Sequence, residues 1–164
     1  MSTNWRLLCV RPRFETTVTR QLQRQNIEHY LPMLRRETAQ ATIDLPLFPG
    51  YVFCNAASSR RMQVSMLPGV LSVWSCENSD IDQDIESLRH IMTSGLRYAA
   101  WSYLETGNTA IAIDGPLCGL HGFIVDGNRL IVPIKSIFRS VIVEVEGACT
   151  LVCADSSYKS NSAA

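Results

Sequence analysis

The chain has 164 residues, 46% of them hydrophobic and 18% charged, yet no stretch approaches the ~18 consecutive apolar residues of a membrane helix. This composition points to a globular chain of one domain or two small ones and excludes a helical membrane protein. Formal net charge is zero, but residues 1–61 hold nine arginines against four acidic residues, an excess of five that the remainder cancels. One end therefore suits a phosphate-bearing partner and the other does not, with an ordinary solvated surface as the alternative that charge alone favours. The opening residues lack a signal peptide's apolar block and cleavage site, so a cytoplasmic location is expected.

Trp5 to Val10 reads as a short apolar strand ending at Arg11-Pro12. A helix follows from Phe14, with Phe14, Val18 and Leu22 as its inward stripe and Asn26 at its end; Arg20 and Arg24 fall on its solvent face. Ile27 to Leu34 reads as extended, interrupted by Pro32, and Arg35 to Asp44 as a polar loop. Next comes Pro46-Leu47-Phe48-Pro49-Gly50-Tyr51-Val52-Phe53. Two prolines and a glycine set a bend there, and a strand leaves it with Tyr51 and Phe53 on one face. Arg60 to Leu67 reads as a short helix stopped by Pro68-Gly69, and Val70 to Ser75 as another strand. Ser79 is the expected cap of a helix whose Asp80, Asp82 and Asp84 complement its dipole and whose buried stripe is Ile81, Ile85, Leu88 and Met92.

From Gly95 to Thr106 the periodicity fades, although Tyr98, Trp101 and Tyr103 indicate a linker that docks. Four short β-rich runs follow, Ala110–Ile113, Phe123–Val125, Leu130–Val132 and Val141–Val145, with Asp126-Gly127 as the clearest hairpin signal. Residues 156–164 are small and polar, and disorder is expected there. The strand and helix order predicts an α+β fold with helices packed on an antiparallel sheet, followed by a small β-barrel. The domain reading is 1–97, a 98–104 linker, 105–155 and the tail.

Catalytic patterns are missing. His29, His90 and His121 lie on different elements, and no zincin, phosphate-loop or dinucleotide fingerprint is present. Six cysteines form no CxxC pair and no zinc spacing with histidine, so reduced, buried thiols are expected, with no metal and no cofactor.

Several separated stretches together resemble the NusG family of transcription elongation and antitermination factors. They are Trp5 to Arg13, Tyr30-Leu31-Pro32, the Pro46 to Phe53 run, Pro68-Gly69-Val70, and a KOW-like Gly115 to Gly122. The resemblance implies an N-terminal NGN-type α/β sandwich and a C-terminal KOW, SH3-like barrel. It also implies that RNA polymerase clamp helices dock on an apolar cavity lined or supported by Trp5, Phe48, Tyr51 and Phe53. Core packing is the alternative for Trp5 and Phe53. By the same resemblance, Arg11, Arg13, Arg20 and Arg24 are expected to face upstream or non-template DNA, in a backbone attraction that weakens with salt. The implied action is by binding alone, as a monomer that disfavours pausing, without a membrane role.

Residues 35–44 are mostly neutral, which argues against a DNA contact from that loop, and the C-terminal part carries little positive charge. That part in the family recruits a ribosomal protein or the Rho factor, and the sequence does not choose between them. A specialised antiterminator for particular operons is the main reading, beside a housekeeping factor. A polymerase-independent KOW module would bury the Phe48 and Tyr51 face in the monomer. A cysteine enzyme would need a thiol of depressed pKa. The valine and isoleucine of 123–145, with Gly127 and Pro133, predict strands rather than helices there.

Overall fold

A computed structural model describes residues 4–75 and 80–153; Cys76, the Ser79 cap and the 156–164 tail lie outside the described residues. The chain divides into two units, Met1–Arg89 with Ile134–Phe138, and His90–Pro133 with Arg139–Ala164.

In the first unit, strand β1 (Trp5–Val10) leads into helix α1 (Glu15–Arg24), then strands β2 (Glu28–Tyr30), β3 (Met33–Glu37), β4 (Thr42–Pro46) and β5 (Tyr51–Asn55). A 3₁₀ turn at Ser58–Arg60 runs into the short helix α2 (Arg61–Ser65), and strand β6 (Val70–Ser75) and helix α3 (Asp80–Thr93) follow. The four-stranded sheet has the order β2-β5-β1-β6, with β1 antiparallel to both β5 and β6. One face is closed by α1 and α2: Leu8, Val10, Val52 and Cys54 pack with Val18, Leu22, Val64 and Leu67, all buried. Helix α1 stops where Asn26 turns to φ +54°, the Ile27 N–H donates to Leu22 O at 2.9 Å, and Arg60 donates to Gln25 O.

Two sequence expectations are corrected in this unit. Residues 35–44 are a hairpin, β3 paired with β4, in place of a polar loop. Its turn is a Thr38 device: the Thr38 hydroxyl donates to Ala41 O at 2.7 Å and accepts from Ala41 N, and Arg35 pairs with Asp44 across the strands. Phe14 is 37% exposed and not part of the buried stripe; its ring lies on the backbone of Gly69, where an added Cβ would fall 2.7 Å away.

The second unit is mainly strand, beside the end of α3 and a 3₁₀ turn at Gly115–Leu117. Strands β7 (Tyr98–Ser102), β8 (Thr109–Ala112), β9 (His121–Val125), β10 (Arg129–Ile134), β11 (Arg139–Glu144) and β12 (Leu151–Cys153) form a six-stranded sheet of order β12-β8-β9-β10-β11-β7. Alternating valine, isoleucine and leucine supply its core, with Leu130, Val141, Val143 and Ala112 fully buried. Tyr98–Ser102, read as part of a linker that docks, is a strand on the β11 edge, and β12 had no anticipated counterpart. Gly115, at φ +73°, is required by the fold: a Cβ there would lie 2.0 Å from Ala148 O. The mixed α+β architecture expected from the sequence is the one the chain adopts.

Candidate functional site

The Pro46–Gly50 bend is held from three directions. Leu47 N–H donates to Pro32 O at 2.8 Å, Val10 N–H donates to Gly50 O at 2.9 Å, and Gly50 N–H donates to the Glu15 carboxylate at 2.8 Å. Gly50 adopts φ +91°, a conformation that side chains disfavour. Glu15 is only 3% exposed, so the first turn of α1 contributes a buried acceptor aimed at the bend. Strand β5 thus leaves the bend in a fixed register against β1.

That register assembles the aromatic face. Cys9 lies opposite Tyr51, Leu7 opposite Phe53 and also opposite Trp74, and Tyr30 opposite Phe53. Residues directly opposite in antiparallel strands share a face, so Trp5, Leu7, Tyr30, Tyr51, Phe53 and Trp74 line the side of the sheet away from α1 and α2. The Tyr30 and Phe53 rings are 6.4 Å apart and tilted by 33°. Arg89 of α3 places its guanidinium 5.8 Å from the Trp5 ring and 5.2 Å from Tyr30, and pairs with Glu28 at 3.8 Å.

The four proposed docking aromatics differ in accessibility. Trp5, Phe48 and Phe53 are buried, at 8%, 4% and 0% exposure, while Tyr51 is half-exposed. Phe48 sits in the bend, ahead of the strand. Sequence reasoning missed Tyr30, whose alternation with Glu28 on a short strand was the available signal, and Arg89 and Glu15, whose roles depend on tertiary placement.

The candidate basic residues lie elsewhere. Arg11, Arg13, Arg20 and Arg24 are all exposed. Arg11 and Arg13 occupy the turn after β1, and Arg20 and Arg24 stand one turn apart on α1. Because α1 covers the aliphatic face, the α1 pair and the aromatics are on opposite sides of the sheet. Other arginines of the basic excess serve structure. Arg6 is 7% exposed and donates to Ala56 O at 2.9 Å and to the Ser58 and Ser75 hydroxyls.

The thiols do not share one environment, contrary to the expectation that they are buried. Cys54 is buried, Cys9 and Cys149 are intermediate, and Cys118 and Cys153 are exposed. Burial pushes the Cys54 thiol up to about 12, against the opposing charge of Arg6, which is the reverse of an activated nucleophile. Among the described residues, no three His, Cys, Asp or Glu side chains gather as metal ligands. No helix among them is long and apolar enough to cross a membrane.

A sequence profile described as "Transcription termination factor nusG" matches residues 3–88, more than half of the chain and nearly all of the aromatic-faced unit. The chain belongs to the NusG family. Among solved structures it is similar to that described as "Domain interaction in Thermotoga maritima NusG", at TM-score 0.51 and 17% identity over 87% of this chain and 93% of that one. Two conformations of an MjSpt4:Spt5 complex align at TM-score 0.32, with 11% and 14% identity, over 91% of this chain and 98% and 97% of theirs. No curated protein sequence matches. The NusG family assignment makes this chain a transcription elongation factor, and the family's members are not enzymes.

Proposed function

We propose that this NusG-family protein binds the clamp helices of RNA polymerase through its aromatic sheet face and suppresses pausing or termination on particular operons. The observation that carries the reading is the face itself: cross-strand pairing gathers Trp5, Tyr30, Tyr51 and Phe53 on the side of the sheet away from α1 and α2. Tyr51 is the half-exposed anchor; Trp5, Phe48 and Phe53 are buried. Aromatic anchors set in rigid surroundings are the usual energetic centres of protein interfaces. Arg11, Arg13, Arg20 and Arg24 supply a separate, salt-sensitive attraction to upstream or non-template DNA.

A second reading, a polymerase-independent nucleic-acid-binding module, requires the Phe48 and Tyr51 face to be buried; Phe48 meets that requirement and the half-exposed Tyr51 does not. The two separate in a pull-down of core RNA polymerase by the full chain and by Tyr51→Ala, repeated on elongation complexes assembled on defined templates. Tyr51 is chosen alone because truncating the buried Phe48 would confound binding with folding. Retention of polymerase by the parent and a loss of tenfold or more in the variant, about 1.4 kcal/mol or more, supports clamp docking. If neither protein is retained on any template while both still shift DNA in a gel, the second reading takes its place. Retention only on certain templates separates an operon-specific factor from a housekeeping one.

A further inference from the structure

Strand β7 stands apart from the sheet it joins. Its ladder with β11 is regular, pairing Tyr98 with Val143, Ala99 with Ile142, Ala100 with Val141, Trp101 with Ser140 and Ser102 with Arg139. Two further bonds extend the attachment: Glu144 N–H donates to Arg97 O at 2.9 Å, and Leu104 N–H donates to the Ser140 hydroxyl at 3.2 Å. Yet Ala99, Ala100, Trp101 and Ser102 are all exposed, and Tyr98 is only half-buried. Against it, β11 buries Ser140, Val141, Ile142 and Val143 in succession. Apart from Tyr98, which is half-buried and has a partner of its own, strand β7 is retained by backbone hydrogen bonds, whose net worth is small once exchange with water is counted, and by almost no hydrophobic burial.

The opposite edge of the sheet shows what a pinned shallow strand looks like. Strand β12 also buries little, but the Asp114 carboxylate accepts from both the Thr150 backbone N–H and the Thr150 hydroxyl, at 2.5 and 2.6 Å, immediately before that strand begins. Charge-assisted bonds of that kind are about twice as strong as neutral ones. Among the bonds that fasten β7, neither the Arg97 nor the Leu104 attachment involves a charged acceptor.

We propose that β7 is a releasable strand, zipped onto the β11 edge in one state and detached in another while the rest of the sheet stays folded. With β7 zipped, the irregular chain between α3 and the next strand is residues 94–97. With β7 detached, residues 94–108 become one continuous free segment with a reach of roughly 50 Å. Release thus switches the length of free chain between α3 and β8, and it exposes a row of unpaired β11 backbone groups on a strand that is otherwise internal to the sheet.

Hydrogen exchange followed by mass spectrometry on the full chain tests this. The ladder-bonded amides of Ala99 and Trp101 are expected to exchange about 100-fold faster than those of Val141 and Val143, which face β10 and remain at the protection of the whole unit, while the Ser140 and Ile142 amides, which face β7, open with it. Equal protection of Ala99 and Trp101 with Val141 and Val143 overturns the proposal. The second arm is a Ser102→Cys, Arg139→Cys variant, with Cys118 and Cys153 replaced by serine; it joins two exposed, directly paired positions. Oxidation is expected to slow exchange in 98–102 at least tenfold, and reduction to restore it. A bridge that forms without changing β7 exchange overturns the proposal, as does a pair that does not bridge under oxidant while the unit remains protected.

Discussion

The two faces of the four-stranded sheet are built on the same strands and filled with different chemistry. The face under α1 and α2 is mainly aliphatic: Leu8, Val10 and Val52 meet Val18, Leu22, Val64 and Leu67, with the buried Arg6 satisfied by Ala56 O and two serine hydroxyls. The other face uses rings, Trp5, Tyr30, Tyr51 and Phe53, with Trp74 at 60% exposure on the edge strand and Arg89 above Trp5 and Tyr30. Packing alone could have been met by aliphatic residues on both sides, as the first face demonstrates. Rings with polar tips tolerate a boundary between protein and water better than leucine does, which is what a docking face needs.

The largest effect that would sharpen this contrast comes from Phe53. With the ring fully buried, Phe53→Ala is expected to cost about 3–5 kcal/mol in denaturant unfolding, comparable to the ~2–5 kcal/mol expected for Leu8→Ala on the aliphatic face. A cost below ~1 kcal/mol for Phe53→Ala would mean that this face is not core at all, and the distinction between supporting and presenting aromatics would fail. Glu15→Ala comes next. It leaves the Gly50 N–H without its acceptor, at about 1–3 kcal/mol, and loosens the bend that aims Tyr51. Glu15→Gln keeps an oxygen at that place and is expected to recover most of the loss in the same unfolding measurement. Equal losses for both variants would show that the negative charge matters more than the bend.

Much of this arrangement was legible because it depends on local chemistry. Alternation placed Tyr51 and Phe53 on one face, the proline and glycine spacing marked the bend, and of the stripe read for α3, Ile81, Ile85 and Leu88 are buried while Met92 is only half-buried, Ile91 taking the buried place beside it. What escaped depends on partners distant in sequence. The β3–β4 hairpin hides because its residues are polar and its pairing rests on cross-strand contacts and a threonine turn without glycine. Strand β7 hides because exposed alanines and Trp101 carry no alternation, and its pairing comes from β11 some forty residues later. Family resemblance singled out Trp5, Phe48, Tyr51 and Phe53; it did not separate the buried Phe48 from the half-exposed Tyr51, because solvent exposure is decided by tertiary packing.

The smallest expected effect belongs to Asp84 on α3, the helix that contributes Arg89 to the aromatic side. The sequence read Asp84 as one of the acids that complement the α3 dipole; in the fold it is 5% exposed and accepts the Ser136 N–H at 2.8 Å. Burial raises its pKa above the ordinary 3.8, and hydrogen bonds from Ser136 and Lys135 oppose that rise without cancelling it. A carboxyl with a raised folded pKa holds its proton more tightly in the fold than in the unfolded chain. Its contribution to stability is therefore full below 3.8 and is lost as pH rises through the raised value. At neutral pH the ionised group is a net cost of folding, even while it serves as an acceptor. Asp84→Asn retains an oxygen for the Ser136 N–H and removes the charge, so the variant should be at least as stable as the parent at pH 7. That advantage should shrink as pH falls towards 3.8, and urea midpoints from pH 4 to 8 measure it. A variant less stable than the parent at pH 7 would mean that the charge on the acceptor outweighs its burial. Asp84 would then be a carboxylate that the first unit needs in its ionised form.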